Sequence, residues 1–153
     1  MRKSTFEILH RINYLGAEMD ALYHQASHKL GISDSAMISL YTVYDNGGTC
    51  LLSDIYKQSG ISKQTVNSAM RKLERDEILY LEQEDGRGKR VHLTEKGKSY
   101  MEKTAARLYE AECEVFSGWS DQEIDMYIHF MEKFNDMFRS QIDKIGKIES
   151  GEF

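Results

Sequence analysis

The 153-residue chain contains no proline and only two cysteines, and it has no apolar run long enough to span a bilayer. Cys50 and Cys113 stand far apart in no Cys-x-x-Cys pattern, which excludes a disulfide framework and a zinc ribbon. The basic start MRKSTFEILHRINYL is interrupted by Glu7, His10 and Arg11, so it predicts no secretion signal. These absences predict a cytoplasmic protein that is neither secreted nor membrane-embedded.

Charge is unevenly distributed along the chain, whose formal net charge is −5. That value alone argues against a nucleic-acid partner. Residues 49–98, however, carry ten Lys and Arg against eight Asp and Glu, whereas residues 99–153 carry six against twelve. The middle third is therefore net positive, and a composition of 41% hydrophobic and 29% charged residues predicts a folded globular protein.

The first third of the chain predicts two helices. A spacing of four and three between apolar residues marks a long helix that ends near Gly31, since glycine is favoured just after a helix. The stripe consists of Ile8, Ile12, Leu15, Met19, Leu22 and Ala26. Ser33 predicts the N-cap of a second helix, which stops at the run Asp45-Asn46-Gly47-Gly48.

Residues 53–75 predict a helix-turn-helix. A short helix over residues 53–58 ends at Ser59-Gly60, and Ser62 predicts the cap of the helix that follows. One face of this second helix is apolar, and the other carries Lys63, Gln64, Asn67, Ser68, Arg71 and Lys72. Two helices joined by a tight turn, the second polar on its outer face, are typical of this motif.

The segment QEDGRGKRVHLT, residues 83–94, predicts a projecting loop. Its tip, residues 85–90, holds two glycines and three cations between apolar runs at residues 78–81 and 91–93. Two short strands that flank a glycine-containing loop predict a β-hairpin beside the helix-turn-helix. Taken alone, the loop also fits a solvated turn whose charges keep a sheet edge soluble.

Two further helices are predicted in the last third of the chain. Thr94 predicts the cap of one long helix over residues 95–116, and Gly97 weakens that prediction slightly. Ser120 and Glu123 predict a capping box for a final helix, whose apolar residues recur at three and four. The chain is therefore predicted to be mainly α with a small β-hairpin wing.

In order and spacing these elements resemble a MarR-type winged-helix transcriptional regulator over residues from about 5 to 146. The hairpin carries the most specific match, since that family shows Asp-x-Arg-Gly-x-x-Val-x-Leu-Thr there. The matching residues are Asp85, Arg87, Gly88, Val91, Leu93 and Thr94, followed by Glu95, Lys96 and Gly97. The runs Gly60-Ile61-Ser62 and Trp119-Ser120-Asp121-Gln122-Glu123 also match. Near Glu77 the family often has a glycine before the first strand, which is missing here.

The resemblance implies an architecture and a function. It implies a winged helix-turn-helix DNA-binding domain over residues 33–98 and a helical dimerisation domain from residues 1–32 and 99–148. The expected function is a homodimeric, sequence-specific regulator of transcription, a repressor that a small-molecule effector releases from a pseudo-palindromic site in double-stranded DNA. Two alternatives are a winged-helix dimer that binds only protein partners and a monomer whose end helices pack on their own chain.

Catalysis is not expected, because the sequence shows no metal-ligand set, no nucleophile paired with a base and no phosphate-binding glycine loop. No cofactor is therefore expected either. His24 and His28 stand four residues apart and could share a helix face, which would suit a metal ion. The resemblance implies no metal, since the histidine-rich fifth helix of zinc-sensing relatives is missing. Cys50 and Cys113 are expected to be small buried residues.

The expected DNA contacts follow from the winged-helix resemblance. Base edges in the major groove are expected to be read by Gln64, Asn67 and Arg71. Phosphates are expected to be held by Ser62, Lys63 and Thr65, and Ser68 belongs to the same polar face. Arg87 is expected to enter a narrow minor groove, with Asp85 orienting it by pairing. Lys89 and Arg90 are expected to hold flanking phosphates.

An effector pocket is expected among the aromatic residues of the first two helices, where the family often keeps one between its two parts. The candidate lining residues are Tyr14, Tyr23, His24, Tyr41 and Tyr44. Aromatic residues at helical spacing also fit an ordinary core.

Overall fold

The computed structural model of the chain describes residues 4–146, which form seven α-helices and three short β-strands. The helices are α1 (Thr5–Lys29), α2 (Asp34–Asp45), α3 (Leu52–Gln58), α4 (Lys63–Arg75), α5 (Glu95–Lys103), α6 (Ala105–Ser117) and α7 (Asp121–Ile142). The strands are β1 (Thr49–Leu51), β2 (Leu79–Glu84) and β3 (Gly88–Leu93). The prediction of a mainly α fold with a β wing is confirmed. The ends of the predicted dimerisation segments, residues 1–3 and 147–148, lie outside the described residues.

Short polar side chains begin most of the helices at the predicted residues. Ser62, Thr94 and Ser120 each accept a hydrogen bond from the backbone N–H three residues later. The predicted capping box is present, with the Ser120 N–H donating to Glu123 at 2.8 Å. Ser33 occupies the N-cap position of α2, although its side chain makes no capping hydrogen bond.

The β-sheet has three strands, whereas the sequence predicts two. β3 pairs antiparallel with both β1 and β2, so the strand order is β1-β3-β2. A strand of three residues, Thr49–Leu51, is too short to show an alternating pattern, which is why the sequence does not predict it. The third strand makes β3 the central strand, in which Val91 is fully buried.

The single helix predicted over residues 95–116 is divided into α5 and α6 at Thr104. The backbone of Thr104, with φ −125° and ψ −90°, leaves the helical region. Its buried hydroxyl donates to the carbonyl of Tyr100 at 2.7 Å. A threonine that bonds back to the preceding turn bends a helix, so Thr104 supplies a local reason for the break.

Gly97, which weakens the helix prediction, allows α5 to lie close to the start of β2. A Cβ atom at this position would be 1.8 Å from the backbone oxygen of Ile78. The approach is held by Thr94, whose N–H donates to the same oxygen at 3.1 Å and whose hydroxyl caps α5. Packing therefore requires the glycine that helix propensity disfavours.

Glu77 takes the left-handed backbone conformation at the turn between α4 and β2, with φ +58°. Its N–H donates to the carbonyl of Glu74 at 3.1 Å, and the Ile78 N–H donates to that of Leu73 at 2.9 Å. Glycine is the usual residue at this position after a helix. The turn keeps its shape without glycine, at the cost of backbone strain at Glu77.

The first of two compact units, Met1–Ala111, contains the winged helix and its core. α2 packs on α4, and α3 packs on β3. The largest fully buried side chains are those of Met37, Leu40, Val43, Ile55, Val66, Met70, Leu79 and Val91. Burial of one face of α4 in this core turns its polar face outward.

The second unit, Glu112–Phe153, contains the end of α6 and all of α7. An aromatic cluster marks their junction, since the ring of Trp119 lies 5.3 Å from that of Phe116 and 5.4 Å from that of Tyr127. None of the residues of α7 is buried by the chain itself. No helix in the described range 4–146 has the length and apolar character needed to cross a membrane.

Candidate nucleic-acid interface

The polar face of α4 gathers the residues predicted to read the major groove. Val66, Met70 and Leu73 recur at helical spacing and are buried, which leaves the opposite face in solvent. The exposed residues of that face are Ser62, Lys63, Gln64, Thr65, Ser68 and Arg71, and Asn67 is half-buried beside them. The structure therefore brings all seven onto one surface.

The start of α4 is electrostatically suited to a phosphate. Ser62 accepts the Thr65 N–H at 3.1 Å, and the two hydroxyl oxygens are 2.8 Å apart. The first turn contains no acidic residue, and Lys63 is exposed there. The partial positive charge of the helix N-terminus is thus not neutralised by a carboxylate.

Tyr56, on the short helix α3, contacts this face and was not among the predicted site residues. Its hydroxyl donates to Asn67 Oδ1 at 2.6 Å. The ammonium group of Lys63 lies 5.7 Å from the centre of the Tyr56 ring, within the range of a cation–π contact. Sequence spacing predicts Tyr56 only as part of the apolar side of α3, because its contact with Asn67 depends on how α3 and α4 pack.

The wing tip presents its cations on a tight turn. Glu84 pairs with Gly88 at the end of the hairpin, and the Arg87 N–H donates to the Glu84 carbonyl at 3.2 Å. Gly86 and Gly88 have φ values of +73° and +94°, a backbone region that only glycine enters readily. Arg87 and Lys89 are exposed at this tip.

Arg90 is placed differently from the other wing cations. Its guanidinium pairs with the Glu84 carboxylate, with a second contact of 3.4 Å between Nη2 and Oε2. Both side chains are half-buried, and the pairing lowers the pKa of Glu84 and raises that of Arg90. Arg90 is therefore a paired cation, and its expected contact with a flanking phosphate stays a prediction.

Asp85 lies exposed at the wing tip with Arg87. Among the residues that the structure describes, these two side chains form no ion pair with each other. The expected pairing that would orient Arg87 thus stays a prediction.

A cleft of about 860 Å³ opens in the first unit between the end of α2, the sheet and α5. The rings of Tyr44 and Tyr109 meet edge to face at 5.2 Å on one wall, and Tyr80 stacks on His92 at 5.1 Å on another. Lys98 lines the cleft and carries its charge beside Glu95, 2.6 Å away. The cleft thus combines aromatic rings with charges of both signs, since Asp45 and Glu102 line it as well.

Of the residues predicted to line an effector pocket, only Tyr44 lines this cleft. Tyr41 packs against the ring of Tyr109 at 5.8 Å. Tyr14 and Tyr23 are exposed on α1, as is His24, whose Nδ1 lies 2.7 Å from Asp34 Oδ2 and lowers the pKa of that carboxyl. The sequence could not indicate the cleft, since its walls come from α2, all three strands, α5 and α6.

The cysteines and histidines show no assembled metal site. Within residues 4–146, no three His, Cys, Asp or Glu side chains are grouped so that they could hold an ion. Cys50 is buried as expected, and burial raises the pKa of its thiol to about 11. Cys113 is exposed, contrary to expectation, because this part of α6 is not covered by the chain itself.

A family model described as the MarR family matches residues 30–90, which include the helix-turn-helix and most of the wing. Over these residues, which are less than half of its length, the chain is similar to the MarR family. Members of that family are DNA-binding regulators of transcription, and in general they are not enzymes. No curated protein matches the chain.

Solved structures of MarR-family regulators share the fold. NMB1585, a MarR family regulator from Neisseria meningitidis, superposes with a TM-score of 0.71 at 21% identity, covering 94% of this chain and 99% of that one. MepR from S. aureus, in complex with DNA, superposes with a TM-score of 0.67 at 22% identity, covering 88% of this chain and 96% of that one. BpsR from Bordetella bronchiseptica, whose DNA binding is regulated by 6-hydroxynicotinic acid, superposes with a TM-score of 0.64 at 19% identity. The superposition covers 84% of this chain and 98% of that one.

Proposed function

We propose that this protein is a MarR-family regulator, a homodimeric, sequence-specific transcriptional repressor that leaves its operator when a small molecule binds. The observation that supports DNA binding is the single surface formed by the polar face of α4 and its positive N-terminus, which no acidic residue of the first turn neutralises. An α-helix with such a face fits the major groove, and the exposed cations of the wing tip suit the adjacent minor groove.

The proposed residue roles follow from exposure and chemistry. Gln64, Asn67 and Arg71 contact base edges, and Ser62, Lys63, Thr65 and Ser68 contact phosphates. Arg87 enters the minor groove, oriented by Asp85 in the DNA complex, and Lys89 holds a phosphate. Arg90 adds positive charge beside the DNA backbone, and its pair with Glu84 stabilises the shape of the hairpin.

Fluorescence anisotropy on operator candidates and scrambled duplexes at two salt concentrations tests DNA binding. We expect cognate binding that weakens with salt, and Arg87→Ala to lower the affinity and to reduce the salt slope by about 1. Arg107→Ala, which removes an exposed arginine from α6, is the charge-matched control and should bind like the wild type. Weak binding that is equal on all duplexes, including those from a random-sequence selection, would favour the alternative of a protein-binding winged helix.

Dimerisation is proposed through residues 1–32 and 99–148, with residues 33–98 forming the DNA-binding domain. α1 exposes the apolar stripe noted in the sequence, and α7 exposes Phe134 at 55% and Phe138 at 49%. Apolar faces of this extent are rare on monomers, and a second copy would cover them. A two-fold dimer also doubles the phosphate contacts and places two recognition helices about one DNA turn apart.

Sedimentation equilibrium tests this assembly. Phe134→Glu is expected to shift the wild-type dimer towards monomer, whereas Asn135→Glu, with the same charge change at the next exposed residue of α7, should leave it dimeric. A wild-type protein that is monomeric at micromolar concentration contradicts the proposal.

The effector is proposed to occupy the cleft beside Tyr44, Tyr109 and Lys98. A small planar acid would stack on the rings and pair with the ammonium group. With 6-hydroxynicotinic acid as the first probe, we expect a rise in melting temperature and release from DNA, both reduced in Lys98→Gln but not in Lys103→Gln. Equal responses of both variants would place the ligand elsewhere.

A further inference from the structure

We propose that Tyr56 is a positioning residue that sets the base preference of Asn67, an inference that rests on the proposed DNA-binding function. The two side chains join α3 to the reading helix α4 through one hydrogen bond of 2.6 Å, from the Tyr56 hydroxyl to Asn67 Oδ1. Tyr56 is half-buried on α3 and contacts Asn67 directly, so it is expected to act through that residue.

An asparagine side chain has two ends with opposite hydrogen-bonding character. Its oxygen accepts, and its NH₂ group donates through two N–H bonds. An amide that rotates freely can offer both ends to adenine, which pairs with asparagine in a bidentate manner. Tyr56 engages the oxygen, and Nδ2 has no partner among the residues from 4 to 146. Because the hydrogen bond points Oδ1 towards Tyr56 on α3, the NH₂ group is the end that Asn67 offers to the DNA.

Donors select bases that present acceptors in the major groove. Guanine presents two acceptors, N7 and O6, whereas thymine presents one acceptor, O4, beside a methyl group. Cytosine presents the N4 amino donor, and adenine combines one acceptor with one donor. Asn67 held by Tyr56 is thus expected to favour guanine at the base that it contacts. Removing the hydroxyl frees Oδ1, which restores bidentate pairing and moves the preference towards adenine.

The surroundings of Tyr56 make it possible to remove the hydrogen bond alone. Its ring lies under the ammonium group of Lys63, 5.7 Å from the ring centre, and α3 is anchored by the buried Ile55. Tyr56→Phe keeps the ring and this contact and deletes only the hydroxyl. The helix packing is therefore preserved while the amide is released.

The experiment is a random-duplex selection with the full-length chain, followed by sequencing of the bound DNA. It compares the wild type with Tyr56→Phe, Asn67→Ala and Tyr127→Phe, a control on α7 with the same chemical change. Asn67→Ala identifies the contacted position by losing preference there. At that position we expect the wild type to favour guanine and Tyr56→Phe to shift the guanine-to-adenine ratio at least about fivefold, the effect of one good base contact.

Three outcomes overturn the inference while leaving DNA binding intact. They are an unchanged preference in Tyr56→Phe, a wild-type preference for cytosine, thymine or adenine at the position, and a shift of equal size in Tyr127→Phe. If the wild type selects no sequence at all, the proposed function fails, and the inference fails with it.

Discussion

Gly97→Ala places a methyl group where the backbone of Ile78 already lies. The added Cβ would be 1.8 Å from the carbonyl oxygen and 2.8 Å from the carbonyl carbon of Ile78. Neither atom belongs to a flexible side chain, so α5 itself must move away from β2. This movement weakens the hydrogen bond from the Thr94 N–H to the Ile78 oxygen, which is 3.1 Å long.

Three effects set the change in the free energy of unfolding. Alanine favours a helix over glycine by about 0.8–1 kcal/mol. Against this, overpacking costs about 1–3 kcal/mol, and the weakened backbone hydrogen bond costs about 1 kcal/mol. The free energy of unfolding of Gly97→Ala is therefore expected to be about 1–3 kcal/mol below that of the wild type.

Urea unfolding followed by far-UV circular dichroism measures this difference, at one fixed protein concentration because subunit association also contributes to stability. Ser99→Ala changes an exposed residue of the same helix and should stay within about 0.5 kcal/mol of the wild type. A Gly97→Ala protein as stable as the wild type, or more stable, would refute the close packing of α5 on Ile78.

Three other predictions concern single residues. Glu77→Gly should raise the free energy of unfolding by about 0.5–1 kcal/mol in the same urea assay. The substitution relieves about 1–2 kcal/mol of left-handed backbone strain, whereas the greater chain entropy of glycine favours the unfolded state by about 0.5–1 kcal/mol. Arg90→Gln should destabilise the protein at pH values above 4.5, the ordinary pKa of Glu84. The difference in stability from the wild type should vanish as the pH falls through the lowered pKa that this carboxyl has in the folded protein. A difference that persists in acid contradicts the pairing. In Cys113→Ser, the remaining thiol of Cys50 should react slowly with a thiol reagent in the native protein and rapidly in urea, since it is buried with a pKa of about 11; rapid native reaction contradicts its burial.

Much of the fold was predictable because its signals are local. Ser62 and Ser120 begin helices by bonding backbone N–H groups three residues away, and Gly86 turns the hairpin within five residues. The break at Thr104 was not predictable, since helical periodicity continues across it and the break depends on a buried hydroxyl. The three-residue strand β1 depends on β3, about forty residues later in the chain, and has no local pattern of its own.

The candidate site divides in the same way. By itself, the sequence determined which polar residues lie on the outer face of α4 and that Arg87 and Lys89 lie at a glycine turn, because both follow from helix and hairpin periodicity. Only the tertiary structure decided that Tyr56 holds Asn67, that Glu84 pairs with Arg90, and that the cleft lies beside Tyr44, away from the tyrosines of α1. These contacts join side chains from different elements, or diagonal positions across a hairpin, and their distances are set by packing rather than by spacing along the chain.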